Sequence, residues 1–177
     1  MNGLGLVLLG ALACTVLGAS NSNPAVPQIE ASLRLAIEDT LDGAAFKTPG
    51  WTSGPLDDAS VVAIHATLVG RLRSHMTGGA LRSWSAALDA AIDRERDGQH
   101  VVITSGGVAE LEIEQLDVSG DRATVSARSL DWIRSTTLGS RFVASPAAWD
   151  GVSATLLRVD GSWLVSELSL QPERSGP

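Results

Sequence analysis

The sequence predicts an α+β domain in which three N-terminal helices pack into a curved antiparallel sheet. The first observation is that apolar residues between about 28 and 96 recur every three or four positions, the period of an amphipathic helix. The second is that several segments after about residue 110 alternate between apolar and polar residues around short turns. Helices that precede the hairpins, rather than alternating with strands, predict an antiparallel sheet packed on helices.

Caps and helix breakers delimit the three predicted helices. The first covers residues 28–41 and ends before Gly43, the second begins after an N-cap at Asp57 or Asp58, and the third ends near Arg96. Each helix has one apolar face that we expect to be buried. These faces comprise Ile29, Leu33, Ala36, Ile37 and Leu41 in the first helix, Val61, Ile64, Leu68 and Leu72 in the second, and Leu81, Trp84, Leu88 and Ile92 in the third.

The first hairpin turns at Gly120-Asp121, which suits a type II′ turn because glycine occupies the position with positive φ. The apolar pairs that this turn places on the inner face are Val118 with Ala123, Leu116 with Val125, and Ile113 with Ala127. The last pair requires one extra residue near Glu114-Gln115, so we expect a β-bulge that bends the strand. Glu112 then lies near Arg128 on the outer face.

The second hairpin turns at Asp160-Gly161, a sequence typical of the type I′ turn. This turn places Arg158 opposite Trp163, and a second bulge is needed near Ser166-Glu167 to keep the following leucines on the inner face. We therefore expect Trp163 to close the packing between sheet and helices. The guanidinium of Arg158 is expected over its ring.

The charge of the chain argues against several classes of partner. Acidic residues outnumber basic residues by 20 to 13, the net charge is −7, and no segment concentrates Lys or Arg. Such a surface repels phosphate backbones and anionic lipid headgroups, so nucleic-acid binding is not expected. The single Cys rules out an intrachain disulfide, and no two of the three histidines have metal-ligand spacing, so we expect neither a metal nor another cofactor.

The N-terminus predicts export from the cytoplasm. Residues 4–19 form an apolar run that is shorter than the roughly 20 residues of a transmembrane helix and resembles the core of a signal peptide. The predicted segments are a signal peptide or membrane anchor at 1–19, a linker at 20–27, the folded domain at 28–171 and a flexible tail at 172–177. The domain is then secreted or held on the outer side of the cytoplasmic membrane, with membrane contact only through its N-terminus.

Cys14 is a candidate for lipidation. It follows Leu12-Ala13, which resembles the end of a bacterial lipoprotein box. The alternative is that Cys14 is only one of the small apolar residues of a leader.

Three stretches of sequence carry a resemblance to a known superfamily. GALRSWSAALDAA, QLDVSGDRATV and LLRVDGSWLVSELSL together resemble the nuclear transport factor 2-like, or cystatin-like, superfamily. Within it, the chain is similar to actinobacterial Mce-associated proteins and to the intermembrane-space domain of chloroplast-division proteins. The resemblance implies a cone-shaped sheet around helices and a noncatalytic role in binding or assembly. The same superfamily includes ketosteroid isomerases and polyketide cyclases, which keep an acid–base group inside the cone.

Asp131 is the candidate for such an acid–base group. The alternation that turns Ala127 and Ser129 inward brings Asp131 to the mouth of the cone, where the alternative is a strand-end carboxylate paired with Arg134 or with water. The chain has no Tyr, which commonly supplies hydrogen bonds to the developing oxyanion in isomerase sites. Its serines lack a nucleophile motif, and its glycine pairs at 78–79 and 106–107 are expected in loops without a phosphate-binding motif. His65 is expected at a helix boundary, satisfied by a neighbour.

Trp51, Trp132 and Trp149 are candidates for a partner surface because each is predicted in or beside a loop, and Trp is enriched at the energetic centres of interfaces. We therefore expect a noncatalytic binding or assembly module of the bacterial envelope, with an envelope or membrane protein as partner. The alternatives are a carrier of a small apolar ligand in the cone and a cyclase- or isomerase-like enzyme that uses Asp131. The sequence is also compatible with a homodimer.

Overall fold

The computed structural model describes residues 23–42, 57–96, 101–137, 143–144 and 147–173. Three helices precede an antiparallel sheet with strand order β1-β2-β4-β5, and the short strand β3 pairs with β2. The elements are α1 (Ala25–Asp42), α2 (Asp58–His75), α3 (Gly78–Arg96), β1 (Val101–Ser119), β2 (Arg122–Thr137), β3 (Val143–Ala144), β4 (Ala148–Val159) and β5 (Ser162–Pro172). The predicted α+β class is confirmed.

Helix α1 lies against the inner face of the sheet. Its apolar stripe, which consists of Ile29, Leu33, Ala36 and Ile37, is 0% exposed. The helix begins at Ala25, whose N–H donates to the side chain of Asn23, so the last three residues of the predicted linker are helical. Pro27 fits in this first turn, because the N–H groups at the start of a helix have no hydrogen-bond partner within the helix and proline lacks the N–H.

The start of α2 is fixed by Asp57, whose carboxylate accepts a hydrogen bond of 2.7 Å from the backbone N–H of Ser60. This bond holds the pKa of Asp57 below its usual value. The glycine pair 78–79, predicted in a loop, instead forms the first two residues of α3. The backbone N–H of Thr77 donates to the carbonyl of Val165 at 2.8 Å, which ties the junction between α2 and α3 to strand β5.

Both predicted hairpins and their bulges are confirmed. Gly120 has φ 58°, and the register of β1 against β2 shifts between Ile113 and Gln115. Asp160 and Gly161 have φ 50° and 84°, as a type I′ turn requires, and a register shift leaves Ser166 as the extra residue of β5. The two bulges curve the sheet around the helices.

Strand β1 is longer than predicted because it includes the glycine pair 106–107, which we expected in a loop. Here the missing side chains allow close packing. A Cβ on Gly106 would lie 2.9 Å from the Cβ of Leu41 and 3.0 Å from its carbonyl carbon, and one on Gly107 would lie 3.1 Å from the ring of Trp132. The glycines therefore bring the end of α1 and an indole ring directly onto the strand.

The far ends of the other strands also extend beyond the prediction. Strand β2 reaches Thr137 and β4 begins at Ala148, so Trp132 and Trp149 lie in strands rather than loops. The first two residues of the predicted flexible tail are instead held at the sheet. Strand β5 runs to Pro172, and the N–H of Glu173 donates to the carbonyl of Trp149 at 3.0 Å. None of the helices within these ranges is long and apolar enough to cross a membrane.

Trp163 closes the core near the second hairpin, as predicted. Its side chain is 3% exposed and belongs to the apolar cluster that joins the helices to the sheet. The expected contact of Arg158 with its ring is not formed. Arg158 is exposed, and the arginines that lie over tryptophan rings in the described part of the chain are Arg128 and Arg134. The indole turns inward to the helices while the guanidinium stays in water.

We predict that Trp163→Ala lowers the free energy of unfolding by about 3–5 kcal/mol, because truncation of a buried aromatic ring loses its burial and leaves a cavity. Val159→Ala, at an exposed position of the same hairpin, is the control and should change stability by less than about 0.5 kcal/mol. Chemical denaturation of both variants gives the comparison. Equal effects of the two substitutions would contradict the assignment of Trp163 to the core.

Candidate functional site

The inner face of β2 changes from apolar to polar along the strand. Ala123, Val125 and Ala127 are buried in the core that α1 completes. The next two residues on this face are Ser129 and Asp131, which are 0% and 6% exposed. The predicted inward direction of Asp131 agrees with this burial. This polar part of the inner face, in the middle of the strand, is therefore buried as well.

In the described part of the chain, neither carboxylate oxygen of Asp131 nor the hydroxyl of Ser129 has a hydrogen-bond partner. Asp131 lies opposite Val108 on β1 and Ala148 on β4, and neither side chain offers a polar group. The predicted alternative, an ion pair with Arg134, is not formed. Arg134 follows Asp131 by three residues on β2, and residues an odd number apart on a strand point to opposite faces of the sheet.

Burial raises the pKa of Asp131 to about 6. The hydroxyl of Ser129 lies close enough to lower this pKa, although the two side chains do not reach hydrogen-bonding geometry, and the negative charge of Asp150 raises the pKa further. Asp150 lies on β4 directly opposite Ser129, so the three side chains share one face of the sheet. We call Ser129, Asp131 and Asp150 the inner acidic site.

The inner acidic site has part of the chemistry of an acid–base catalyst. A carboxyl with a pKa near 6 exchanges its proton close to neutral pH, which suits general acid or base catalysis. The donor that isomerase sites commonly take from Tyr is missing from this chain. Within the described ranges, no group of three His, Cys, Asp or Glu side chains could hold a metal ion.

The outer face of the sheet carries two of the three predicted partner-surface tryptophans. Leu130 on β2 lies directly opposite Trp149 on β4, and Trp132 is the next residue on this face of β2. We call Leu130, Trp132 and Trp149 the outer aromatic patch. All three side chains are partly exposed. Both tryptophans were predicted in or beside loops; Trp149 is the second residue of β4, and Trp132 lies within β2.

Arg128 holds the ring of Trp149 in place. Its guanidinium lies 4.5 Å from the ring centroid and donates two hydrogen bonds, of 2.6 and 2.7 Å, to the carboxylate of Glu173. This pairing raises the pKa of Arg128 and lowers the pKa of Glu173. Glu112 is 3.5 Å from Arg128, as the predicted register required. The second indole, Trp132, has the guanidinium of Arg134 5.4 Å from its ring centroid.

Shallow grooves continue from the outer aromatic patch along the same face. The residues that line them include the small residues Ser126, Gly151 and Ser153 and two carboxylates of β1, Glu114 and Asp117. The outer face therefore combines fixed aromatic rings with an open, acidic trough.

An ion cluster around one buried carboxylate, between α1 and α2, was not found from the sequence. Asp39 is buried, and its two carboxylate oxygens lie 2.8 Å from Nη2 of Arg71 and 2.6 Å from Nδ1 of His75. The signal was the position of Asp39 three residues after Ala36, within the buried stripe of α1. His65 lies 3.0 Å from Asp89 and is partly exposed, in agreement with its predicted role as a boundary histidine.

Two of the predicted site residues lie outside the described ranges. They are Cys14, the lipidation candidate, and Trp51, the third partner-surface candidate. Gly161 has the predicted structural role in the second turn, and Trp163 has its predicted role in the core.

We predict that Asp131→Asn stabilises the protein at about pH 8 by about 1–3 kcal/mol. Between the ordinary pKa of 3.8 and the folded value of about 6, the folded protein keeps a proton that the unfolded chain has released. The carboxyl therefore lowers stability progressively as pH rises through this window, and asparagine removes the effect. The difference between variant and wild type should disappear below about pH 4, as measured by denaturation at each pH.

Asp121→Asn is the matched control, because Asp121 is an exposed aspartate in the first turn. Its effect on stability should not vary in this way with pH. A destabilising effect of Asp131→Asn at high pH, or one that is equal at both pH values, would contradict the burial of an uncompensated carboxyl.

Comparison with known proteins supports the fold. No family model matches the chain, and no curated protein matches it either. The periplasmic domain of DotI is 13% identical with a TM-score of 0.54, over 88% of this chain and 99% of that one. The intermembrane-space region of the chloroplast protein ARC6 is 14% identical with a TM-score of 0.48, over 68% of this chain and 100% of that one.

A protein of the NTF2-like family from Streptomyces avermitilis is 14% identical with a TM-score of 0.37, over 86% of this chain and 99% of that one. Similarity at these identities concerns the fold alone. The similarity to the DotI domain, together with the element order, agrees with the predicted arrangement of three helices packed against a curved antiparallel sheet.

Proposed function

We propose that this chain is a noncatalytic binding or assembly module of the bacterial envelope, which contacts a partner protein through the outer face of its sheet. The observation that carries the proposal is the outer aromatic patch. Two indole rings lie on neighbouring strands, and an arginine guanidinium lies over each of them. Rigid, partly exposed aromatic rings lose little conformational entropy on binding and are enriched among energetically dominant interface residues.

The packing of the cone supports a noncatalytic role. The small residues Ala123 and Ala127 of the inner face are buried in the apolar core rather than lining an open pocket. Small-molecule sites are concave and largely preformed. The middle of this inner face is covered by protein, so it favours a structural core over a ligand chamber.

The proposed location is outside the cytoplasm. The support is the apolar run at residues 4–19, which precedes the folded domain and matches the core of a signal peptide. The DotI domain of similar fold is a periplasmic one. Mass analysis of the native N-terminus distinguishes three forms of export. They are secretion, lipidation at Cys14, and retention of the leader as a membrane anchor, as in the Mce-associated type of protein.

A second candidate function is catalytic and rests on Asp131. A buried carboxyl whose pKa is raised to about 6 is the kind of group that cyclase- or isomerase-like enzymes use. Turnover of a small molecule that is lost in Asp131→Asn, with the fold intact, would favour this function over the binding module. Co-purification of an apolar ligand with the chain, detected by native mass spectrometry, would favour a carrier.

We predict that a photoreactive residue at position 153 crosslinks the full-length protein to an envelope protein, whereas the same residue at position 66 does not. Ser153 is exposed on the outer face, and Ala66 is exposed on α2. Crosslinking in the native envelope, followed by mass spectrometry of the adduct, identifies the partner. An adduct from position 66 alone, or an adduct that contains only a second copy of this chain, would contradict the proposal.

Substitution of the tryptophans tests the same surface. Trp149→Ala and Trp132→Ala should each weaken binding of the identified partner by about tenfold or more, the usual effect of truncating a central interface residue. Val62→Ala is the control, because Val62 is a large apolar side chain on α2 that is 68% exposed. A melting curve for each variant separates loss of the interface from loss of the fold.

A further inference from the structure

The inner acidic site contains polar groups that are buried without partners. The hydroxyl of Ser129 is unpaired although its residue is 0% exposed, and both carboxylate oxygens of Asp131 are unpaired at 6% exposure. Buried polar groups in folded proteins nearly always have a hydrogen-bond partner, because losing the partner leaves the full cost of desolvation. Ser129 and Asp150 lie near enough to shift the pKa of Asp131, yet these three oxygens form no hydrogen bond with the described residues, so a donor group from outside them can satisfy all three.

The three side chains of the site converge from two strands. Ser129 and Asp131 are alternate residues of β2, so they project from the same face, and Asp150 lies opposite Ser129 on β4. On the other side, β1 presents Leu111 opposite Ser129 and Val108 opposite Asp131, and both residues are buried. The site is therefore a group of oxygen acceptors beside an apolar wall.

This arrangement defines the chemistry of the missing partner. Ionised carboxylates accept hydrogen bonds but cannot donate them, so the partner must supply donors, and two neighbouring carboxyls favour one that carries positive charge. A neutral water molecule would supply donors but would not offset the charge. Calcium takes six to eight oxygen ligands and magnesium completes its six with several waters, whereas this site is bordered by the buried side chains of Val108 and Leu111. In the described part of the chain, no group of three His, Cys, Asp or Glu side chains could hold a metal ion.

A primary ammonium group meets these requirements. It has three N–H donors, one for each side chain of the site, and it carries one positive charge. An unbranched apolar stem would lie against the wall formed by Val108 and Leu111. The nearby guanidinium of Arg34 on α1 is directed to the backbone instead, since its Nη1 donates to the carbonyl of Val108 at 3.1 Å.

We propose that the inner acidic site binds a primary ammonium group carried on a slim apolar stem, either a free alkylamine or a lysine side chain. This site lies on the inner face of the sheet, so it is independent of the outer-face docking proposed above. The high pKa of Asp131 is consistent with a carboxyl that lacks its counterion. Binding of the ammonium group would restore the ionised form and satisfy the buried hydroxyl.

The test uses the full-length chain and n-hexylamine at a pH where the amine is protonated and Asp131 is ionised. The amine should raise Tm in a concentration-dependent way, because a ligand that binds only the folded state stabilises it. It should also shift the backbone amide resonances of Ser129 and Asp131. Two control compounds should have no such effect: n-hexanol, which has the stem without the charge, and tetramethylammonium, which has the charge without N–H donors.

Substitutions test whether hexylamine binds at the inner acidic site. Asp131→Asn and Ser129→Ala should each weaken hexylamine binding by about tenfold or more, because each removes a hydrogen-bond acceptor for the ammonium group. Asp121→Asn, in the exposed turn, should leave binding unchanged. Asp131→Asn is predicted to fold at least as stably as the wild type at this pH, so loss of binding in this variant is not explained by unfolding.

A lysine analogue identifies the source of the ammonium group. Binding of Nα-acetyl-lysine methylamide as strong as that of hexylamine would favour a lysine side chain, and much weaker binding would favour a free alkylamine. Three results would each overturn the proposal: no effect of hexylamine, an equal effect of hexanol, or unchanged binding in Asp131→Asn. A shift in Tm with MgCl₂ or CaCl₂ in place of the amine would identify a metal site instead.

Discussion

The packing of α1 against the concave face of the sheet is the constraint on which the rest of the structure depends. Four residues of this helix are completely buried. Full burial of an Ile or Leu side chain contributes about 1.5–3 kcal/mol, and the three large residues of this stripe therefore stabilise the domain substantially. A flat sheet could not enclose a helix in this way. The bulges near Glu114 and Ser166 provide the curvature, and Gly106 provides the space in which the end of α1 meets β1.

The same packing determines where polar chemistry can occur. Along the first half of β2 the inner face must be apolar and small, because α1 occupies the space in front of it. In the middle of the strand, Ser129 and Asp131 replace alanine and valine, and these side chains stay buried without a hydrogen-bond partner among the described residues. The outer face has no such restriction. It presents aromatic rings and carboxylates, and its arginine cations are held over tryptophan rings.

Much of the sheet could be predicted from the sequence because its register follows from elementary rules. Each turn sequence fixed one pair of residues, and the requirement that apolar side chains share a face then located both bulges. The burial of Trp163 in the core could be predicted from the same register. Asp131 could also be placed on the inner face, since strand alternation extends as far as the strand does.

Other features depend on contacts between distant segments, which local patterns do not reveal. Gly106 and Gly107 were mistaken for a loop because glycine is common in turns, and nothing local indicates that Leu41 and Trp132 occupy the space where their side chains would be. The strand positions of the tryptophans were missed for the same reason. The cluster of Asp39 with Arg71 and His75 joins two helices, so helical periodicity alone could not pair them. For the same reason, the sequence pattern could not show whether the carboxylate of Asp131 has a hydrogen-bond partner.

Native-state hydrogen exchange of α1 tests the central claim most directly, namely that this helix permanently fills the cone. The backbone amides of Leu33, Ala36 and Ile37 should exchange only when the whole domain unfolds. Their exchange free energy should then equal the global free energy of unfolding and fall equally steeply with denaturant. Exchange through a smaller opening that is insensitive to denaturant, while the sheet amides stay protected, would contradict the account. In that case α1 would leave the cone readily, and the inner face would be an accessible ligand chamber rather than a core.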